Sequence, residues 1–338
     1  MKRKSFFFTL AIAFFATLLF ACIPQQLPPS TSTETSVQIP MSQSPPQPEP
    51  RPISEPLFRQ ISTFRTTIPA NGDVANIYYP QVSENSPNSP SFPVALLLQG
   101  LNVDKSHYSQ FATQVARYGF IVVVPNHFTT VRGRQELFAQ VGEVPAVLSY
   151  VKSQNNAQNL PFYDIINADK LVLIGHSQGG FIGMDAIREA CDMPFCEGDY
   201  QRPKELLAGV FFGADLWDGE YIKIENDGIA IALMSGSEDS LIPADSIQQT
   251  YEHIQTSPKA YLTLLGANHY AITNGDNPPG SPLEKNPPLL PQDIAIATLS
   301  RWSALFLRTY AFDDTTAKEY IYQTGDALDE NVTVISQP

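Results

Sequence analysis

Cysteine is scarce in this chain, with three residues in 338. That is too few for a disulfide-stapled scaffold, and the spacing fits neither a four-cysteine zinc pattern nor one of two cysteines and two histidines. Positive charge is scarce too: 21 Lys and Arg stand against 34 Asp and Glu, a formal net charge of −13. Phosphate backbones are bound by clustered Lys and Arg, so nucleic acid is excluded as a partner. No apolar run reaches the ~20 residues that a membrane-spanning helix needs, and there is no internal repeat. Proline is the opposite case: 29 residues, about 9% of the chain against a usual ~5%. At ~150 residues per domain the length suggests two domains, although single α/β domains of 200–250 residues are common.

Residues 1–21 read as an address rather than as structure. Lys2, Arg3 and Lys4 precede an uncharged apolar run from Phe6 to Phe20, the layout of a secretory signal. Leu19-Phe20-Ala21-Cys22 resembles a bacterial lipobox, with Leu three positions before the cysteine and a small residue just before it. The resemblance implies cleavage before Cys22 and diacylglyceryl attachment to its sulfur, hence a membrane contact through a lipid anchor. Ile23 rather than Asp follows Cys22, which favours the outer membrane if the cell has one. The alternative is an ordinary cleaved signal and a secreted soluble protein. Residues 22–56 are rich in Pro, Ser, Thr and Gln and poor in large apolar side chains. Such a segment cannot bury enough surface to offset its chain entropy, so it reads as a disordered tether. The folded domain is expected over residues 57–338.

Beyond the tether, strand and helix patterns alternate. Phe64–Ile68 and Val74–Tyr79, split by Asn71-Gly72, read as a hairpin. Phe92–Gln99, Phe120–Pro125, Leu171–Ile174, Gly209–Phe212, Ile229–Met234 and Tyr261–Leu265 are short continuous apolar runs. Continuous runs, rather than alternating ones, fit strands buried on both faces of a parallel sheet. Helical patterns lie between them at Tyr108–Tyr118, Gln135–Lys152, Gln178–Ala190, Ser246–Ile254 and Asp293–Tyr310. This alternation indicates an α/β fold with helices on both faces of the sheet.

Leu171–Ile174 runs into Gly175-His176-Ser177-Gln178-Gly179-Gly180 and then into a helical pattern. A G-x-S-x-G turn between strand and helix strains the serine backbone and presents its hydroxyl above the sheet edge, at a helix N-terminus. The glycines are needed because Cβ atoms at 175 and 179 would crowd the adjoining strand and helix. Ser177 is therefore the candidate nucleophile. A serine hydroxyl needs a base, and the base needs an orienting acid, which follow this motif in the order Ser, acid, His. Of five histidines, only His253 and His269 come after Ser177. His253 lies in a helical pattern and reads as a surface residue. His269, in the loop after Tyr261–Leu265, is the expected base. Asp239, in the loop after Ile229–Met234, is the expected acid, and Asp215, after Gly209–Phe212, is its rival. The oxyanion donors are expected to be the N–H groups of Gln178 and of Leu101, which follows the strand Phe92–Gln99 in Gly100-Leu101-Asn102.

Together Val94–Asn126, Gly175–Gly180, Gly236–Pro243 and Gly266–Tyr270 resemble the α/β-hydrolase superfamily. Within it they resemble the branch of chlorophyllase-like, dienelactone-hydrolase-like and cutinase or polyester-hydrolase-like enzymes. The resemblance covers most of Phe64–Tyr310. It implies a central, mostly parallel sheet of about eight strands with helices on both faces. It also implies hydrolysis of a carboxylic ester, on a small-molecule, lipid or polyester substrate, through an acyl-enzyme and without cofactor or metal. Chlorophyllases often carry Arg after the nucleophile and polyester hydrolases Met; Gln178 departs from both and leaves the substrate open. The same triad can serve amides, thioesters or acyl transfer, and a non-catalytic binding lipoprotein on a hydrolase scaffold is a further alternative.

Three more features flank this machinery. Cys191 and Cys196 open an insertion over residues 191–207, and an exported protein is expected to join them in a disulfide; the alternative is two reduced thiols. Trp217 and His127 follow strand ends that face the site and are candidate substrate-binding residues. Asn274-Gly275-Asp276-Asn277 reads as a polar turn rather than a cation site.

Overall fold

The computed structural model describes residues 55–82, 91–131, 133–155, 157, 163–192, 195–196 and 198–338. The expected signal, Cys22 and the tether up to residue 54 lie outside the described residues. The domain opens on a hairpin of β1 (Ile61–Ile68) and β2 (Asp73–Pro80). There follow β3 (Phe92–Leu98), β4 (Ile121–Asn126), β5 (Phe128–Val131), β6 (Arg134–Leu137), β7 (Ile166–His176), β8 (Leu206–Phe212), β9 (Ala230–Gly236), β10 (Lys259–Leu264) and β11 (Val332–Gln337). Interleaved with them are α1 (Ser109–Ala116), α2 (Glu143–Gln154), α3 (Gln178–Ile187), α4 (Ala244–Glu252), α5 (Gln292–Ala311), α6 (Thr315–Glu319) and α7 (Gly325–Leu328).

The main sheet has nine strands in the order β1-β2-β4-β3-β7-β8-β9-β10-β11. Six of them, from β4 to β10 in that order, run parallel, while β1, β2 and β11 pair antiparallel at the edges. Side-chain alternation splits each central strand between two cores. On β3, Ala95 and Leu97 face one core with α1 and α5, while Val94, Leu96 and Leu98 face the other with α2 and α3. β4 and β7 divide in the same way, Val122 and Val172 to the first core, Val123 and Leu173 to the second. Both faces are covered, and for that reason the strands read as continuous apolar runs in the sequence.

Two segments differ from the sequence reading. The helix expected from Gln135 starts at Glu143, because residues 134–137 are paired with 128–131 in a separate two-stranded sheet. Glu143 then closes the start of α2, its Oε1 accepting the Gln140 N–H at 2.8 Å. The second difference is β11, a ninth strand whose residues alternate between more buried and exposed, as fits the half-exposed edge it occupies.

Chain order reverses at β3. The chain leaves β3 for β4 on one side and returns to β7 on the other, so the loops after β3 and β7 diverge and leave a crevice at the carboxyl ends of the strands. Open α/β sheets bind ligands at such a switch point. A cavity of about 390 Å³ lined by Ser91, Lys152 and Asn167 lies where β3 and β7 begin, away from this crevice.

Candidate active site

Ser177 sits at the junction of β7 and α3 with φ +52° and ψ −124°, a conformation that costs a non-glycine residue of order 1–3 kcal/mol and persists only when its surroundings enforce it. The enforcement is visible. Its N–H donates to the Phe212 carbonyl at 2.9 Å, and its carbonyl accepts from Gly180 N–H at 2.8 Å. A Cβ on Gly179 would stand 2.2 Å from the Leu98 carbonyl oxygen, and one on Gly175 would stand 2.6 Å from the Gly179 carbonyl oxygen. No side chain fits at either position, as the motif requires.

Loops after three later strands bring the remaining groups together. His269, after β10, meets Asp239, after β9: Nδ1 lies 2.8 Å from Asp239 Oδ2, with the two side chains 2% and 0% exposed. The other carboxylate oxygen, Oδ1, accepts the N–H groups of Leu241 at 2.9 Å and Ile242 at 2.8 Å. With Nδ1 donating to a carboxylate, Nε2 of a neutral imidazole is left to accept a proton. Gly213, after β8, packs on this pair: a methyl group there would be 3.1 Å from His269 Nδ1 and 3.3 Å from Asp239 Oδ2. Gly213 also lines, with Ser177, Leu101, Gln178 and Asp215, a cavity of about 250 Å³. Asp215 is thus near the site, but its carboxylate is taken by the Ser246 hydroxyl, and Asp239 holds the imidazole.

Leu101 and Gln178 both face this cavity. Among the described residues, neither of their N–H groups donates to a backbone carbonyl or a side chain. Both are clamped from behind by one segment that the sequence did not reveal. Asn102 N–H donates to the Leu137 carbonyl at 2.8 Å, and Leu137 N–H returns to Asn102 Oδ1 at 3.0 Å. Asn102 Nδ2 donates to Glu136. The Gln178 side chain bonds the Ala139 backbone twice, accepting its N–H at 3.0 Å and donating to its carbonyl at 2.9 Å. A primary amide offers this donor–acceptor pair and neither Arg nor Met does. The only sequence signal was the unusual Gln178 itself.

A buried chain of hydrogen bonds joins the two sides. Gly100 N–H donates to the Tyr108 hydroxyl at 2.9 Å, and that hydroxyl meets His176 Nδ1 at 2.9 Å. With the hydroxyl proton given to Nδ1, His176 Nε2–H donates to the His269 carbonyl at 2.9 Å. Full burial, with His269 beside it, holds the His176 pKa well below its usual 6.5, consistent with a neutral ring in this tautomer.

The two candidate substrate-binding residues go elsewhere. Trp217 is 55% exposed, forms a bridge to Tyr221 and is not part of the Ser177 cavity wall. His127 turns to Asp73, Nδ1 to Oδ2 at 2.9 Å, also outside that wall. Cys191 and Cys196 are joined in a disulfide. Asn274 is occupied in pinning its loop to the start of α1 and the turn before it, accepting from Gln110 N–H at 3.1 Å and donating to the Ser106 carbonyl at 2.8 Å. Among the described residues, no group of three or more His, Cys, Asp or Glu is placed to hold a metal ion, and no helix is long and apolar enough to cross a membrane.

Residues 77–189 match the family model of the chlorophyllases. The matched segment runs from β2 past the end of α3 and so includes Leu101, Ser177 and Gln178, but stops before Asp239 and His269. With the sheet order described above, it identifies the architecture as the α/β-hydrolase fold. No curated protein matches the chain.

Proposed function

We propose that this α/β-hydrolase cleaves carboxylic esters through an acyl-enzyme on Ser177. What supports the proposal is a strained serine and two unpaired N–H groups on one cavity, together with a carboxylate-oriented imidazole packed against Gly213, which lines that same cavity. Ser177 Oγ attacks the carbonyl carbon while its proton passes to His269 Nε2. The tetrahedral oxyanion is held by the Leu101 and Gln178 N–H groups. Collapse breaks the ester C–O bond, and the leaving alkoxide takes the proton from His269. Water then attacks the acyl-enzyme by the same path and restores Ser177. Asp239 fixes the imidazole tautomer and stabilises the imidazolium that forms twice per cycle. The chlorophyllase match supports ester chemistry in particular.

The purified protein assayed on p-nitrophenyl esters of increasing acyl length tests this reading. Turnover is expected for wild type and is expected to vanish in Ser177→Ala; turnover that survives the substitution defeats the mechanism. We further propose, on the sequence of residues 1–22 alone, that the chain is exported and lipid-anchored at Cys22. Membrane fractionation of wild type against Cys22→Ser tests that: the variant should be released, and a wild type that is already soluble contradicts the anchor.

A further inference from the structure

Two cavities meet at one aromatic side chain. The cavity of about 250 Å³ beside Ser177 has Phe181 and Phe195 in its wall. A larger cleft of about 960 Å³ lies over the β5–β6 hairpin, lined by Thr130, Arg134, Glu136, Phe138 and again Phe195. Leu101 borders both. Phe195 is therefore a wall common to the two spaces, and it is held from several directions. Its ring stacks on Phe138 at 5.7 Å between centroids and 14° between planes, and on its other contact meets Phe181 at 4.8 Å. Its carbonyl accepts the Val141 N–H at 3.1 Å. The neighbouring Cys196 is bonded to Cys191, which follows shortly after α3, the helix that begins at the nucleophile.

We propose that Phe195 is the specificity-determining residue of this site, the partition that makes it accept two-part esters: a compact part in the small cavity beside Ser177 and a bulkier, amphipathic part in the cleft over the hairpin. The inference rests on the ester-hydrolase reading above and adds the shape of the substrate. Compactness follows from the volume beside Ser177. Amphipathic character follows from the cleft wall, where the apolar Leu101, Phe138 and Phe195 stand with Thr130, Arg134 and Glu136. Glu136 keeps its bond from Asn102 and Thr130 its bond from Gln135, but a pure hydrocarbon chain would strip water from the charged Arg134 and Glu136 without replacing it, which is a penalty for binding. The disulfide matters here because it ties the loop that carries the partition back to the end of α3.

The test uses the full-length protein and two series of esters, with hydrolysis followed by titration of the acid released. In one, the group on one side of the ester is fixed as acetyl or methyl and the other grows from butyl to a sulfonated naphthyl group. In the other, both sides grow together as plain alkyl chains. Wild type should favour esters with one compact and one bulky amphipathic side over those with two long sides, by at least about tenfold in kcat/KM, the discrimination that pocket fit alone commonly supplies. Phe195→Ala should collapse that ratio towards one, and Phe195→Leu should restore most of it. Reduction of the disulfide should shift the ratio in the same direction as Phe195→Ala. A wild type that cleaves esters without regard to this asymmetry, or a ratio unchanged in a folded Phe195→Ala, overturns the partition and leaves the ester-hydrolase reading standing. A folded wild type that cleaves no ester in either series overturns the ester-hydrolase reading, and the partition with it.

Discussion

Ser177 owes its position to residues within a few steps of it in the chain and to the strands on either side, whereas His269 owes its position to residues scattered across the last third of the sequence. Around Ser177 two backbone hydrogen bonds are joined by steric restraints, with glycines at 175 and 179 pressed against backbone. Around His269 they are polar. Asn268 Nδ2 donates to Asp276 Oδ1 and to the Asn286 carbonyl, both at 3.0 Å. Glu284 accepts the Ser240 N–H at 2.9 Å and the Asn286 N–H at 2.7 Å, so the loop after β9 and the loop after β10 are stitched together. Close packing is all-or-none, because a methyl group either fits or does not. A mesh of hydrogen bonds can lose members one by one, each worth about 1 kcal/mol net. The nucleophile half of the site should therefore fail abruptly on mutation and the acid–base half by degrees.

The largest effect expected is in the reacting groups themselves. Ser177→Ala and Asp239→Asn should each lower kcat by about 10⁴-fold or more, while Asp215→Asn should cost less than about tenfold, since its carboxylate bonds Ser246. Steady-state kinetics of the three variants would decide it, and a collapse with Asp215→Asn alone would reverse the assignment. Next comes Gly179→Ala, which drives a methyl group into the Leu98 carbonyl. It should destabilise the fold by about 3 kcal/mol or more, read by urea denaturation; a variant with wild-type midpoint would break the contrast between the halves. Glu284→Gln, on the polar side, should leave the fold intact and lower kcat only several-fold, about the loss of one charge-assisted hydrogen bond. Gln178→Ala removes the two bonds to Ala139 and should cost roughly tenfold in kcat, because it loosens an oxyanion donor.

A separate readout is the pH dependence of stability. Burial raises the Glu143 pKa from 4.5 to about 8. Burial opposes the charge on His127, but its bond to Asp73 and the charge of Glu143 outweigh that and raise it from 6.5 to about 9. Both folded values lie above the unfolded ones. Their contribution to stability is therefore complete below the unfolded values and is lost as pH rises through the interval up to about 8 and about 9. The melting temperature should drift downward from about pH 4.5 to about pH 9, and Glu143→Gln should flatten that slope.

The sequence was legible where one local pattern dictates structure. Ser177 and its glycines form a contiguous motif, and six of the eight expected strands of the main sheet carry continuous apolar runs that a doubly covered sheet explains. The expected helix starts too early, at Gln135, because Gln135-Glu136 followed by an apolar stretch fits helical spacing, while what decides the structure is pairing of 134–137 with 128–131. Asn102 and Ala139 were invisible for a related reason: their roles reside in backbone hydrogen bonds to residues about 35–40 positions away, and no local propensity encodes such a bond. Trp217 and His127 follow strand ends that face the site, but the direction of a side chain after a strand end depends on the loop: Asp73 holds the His127 ring, and the Trp217 side chain is exposed.

The Tyr108 hydroxyl touches both halves, accepting from Gly100 on one side and reaching His269 through His176 on the other. Tyr108 is fully buried and stands at the head of α1, which packs on the long helix α5. A rigid body that grips both loops makes their motions concerted: neither can swing open while the helix stays seated. Hydrogen exchange of the Gly100 amide should then be as slow as that of the sheet core and should quicken only with the opening of the whole assembly. In that respect the cleft behaves as a single hinge-free unit, and one backbone amide reports on it.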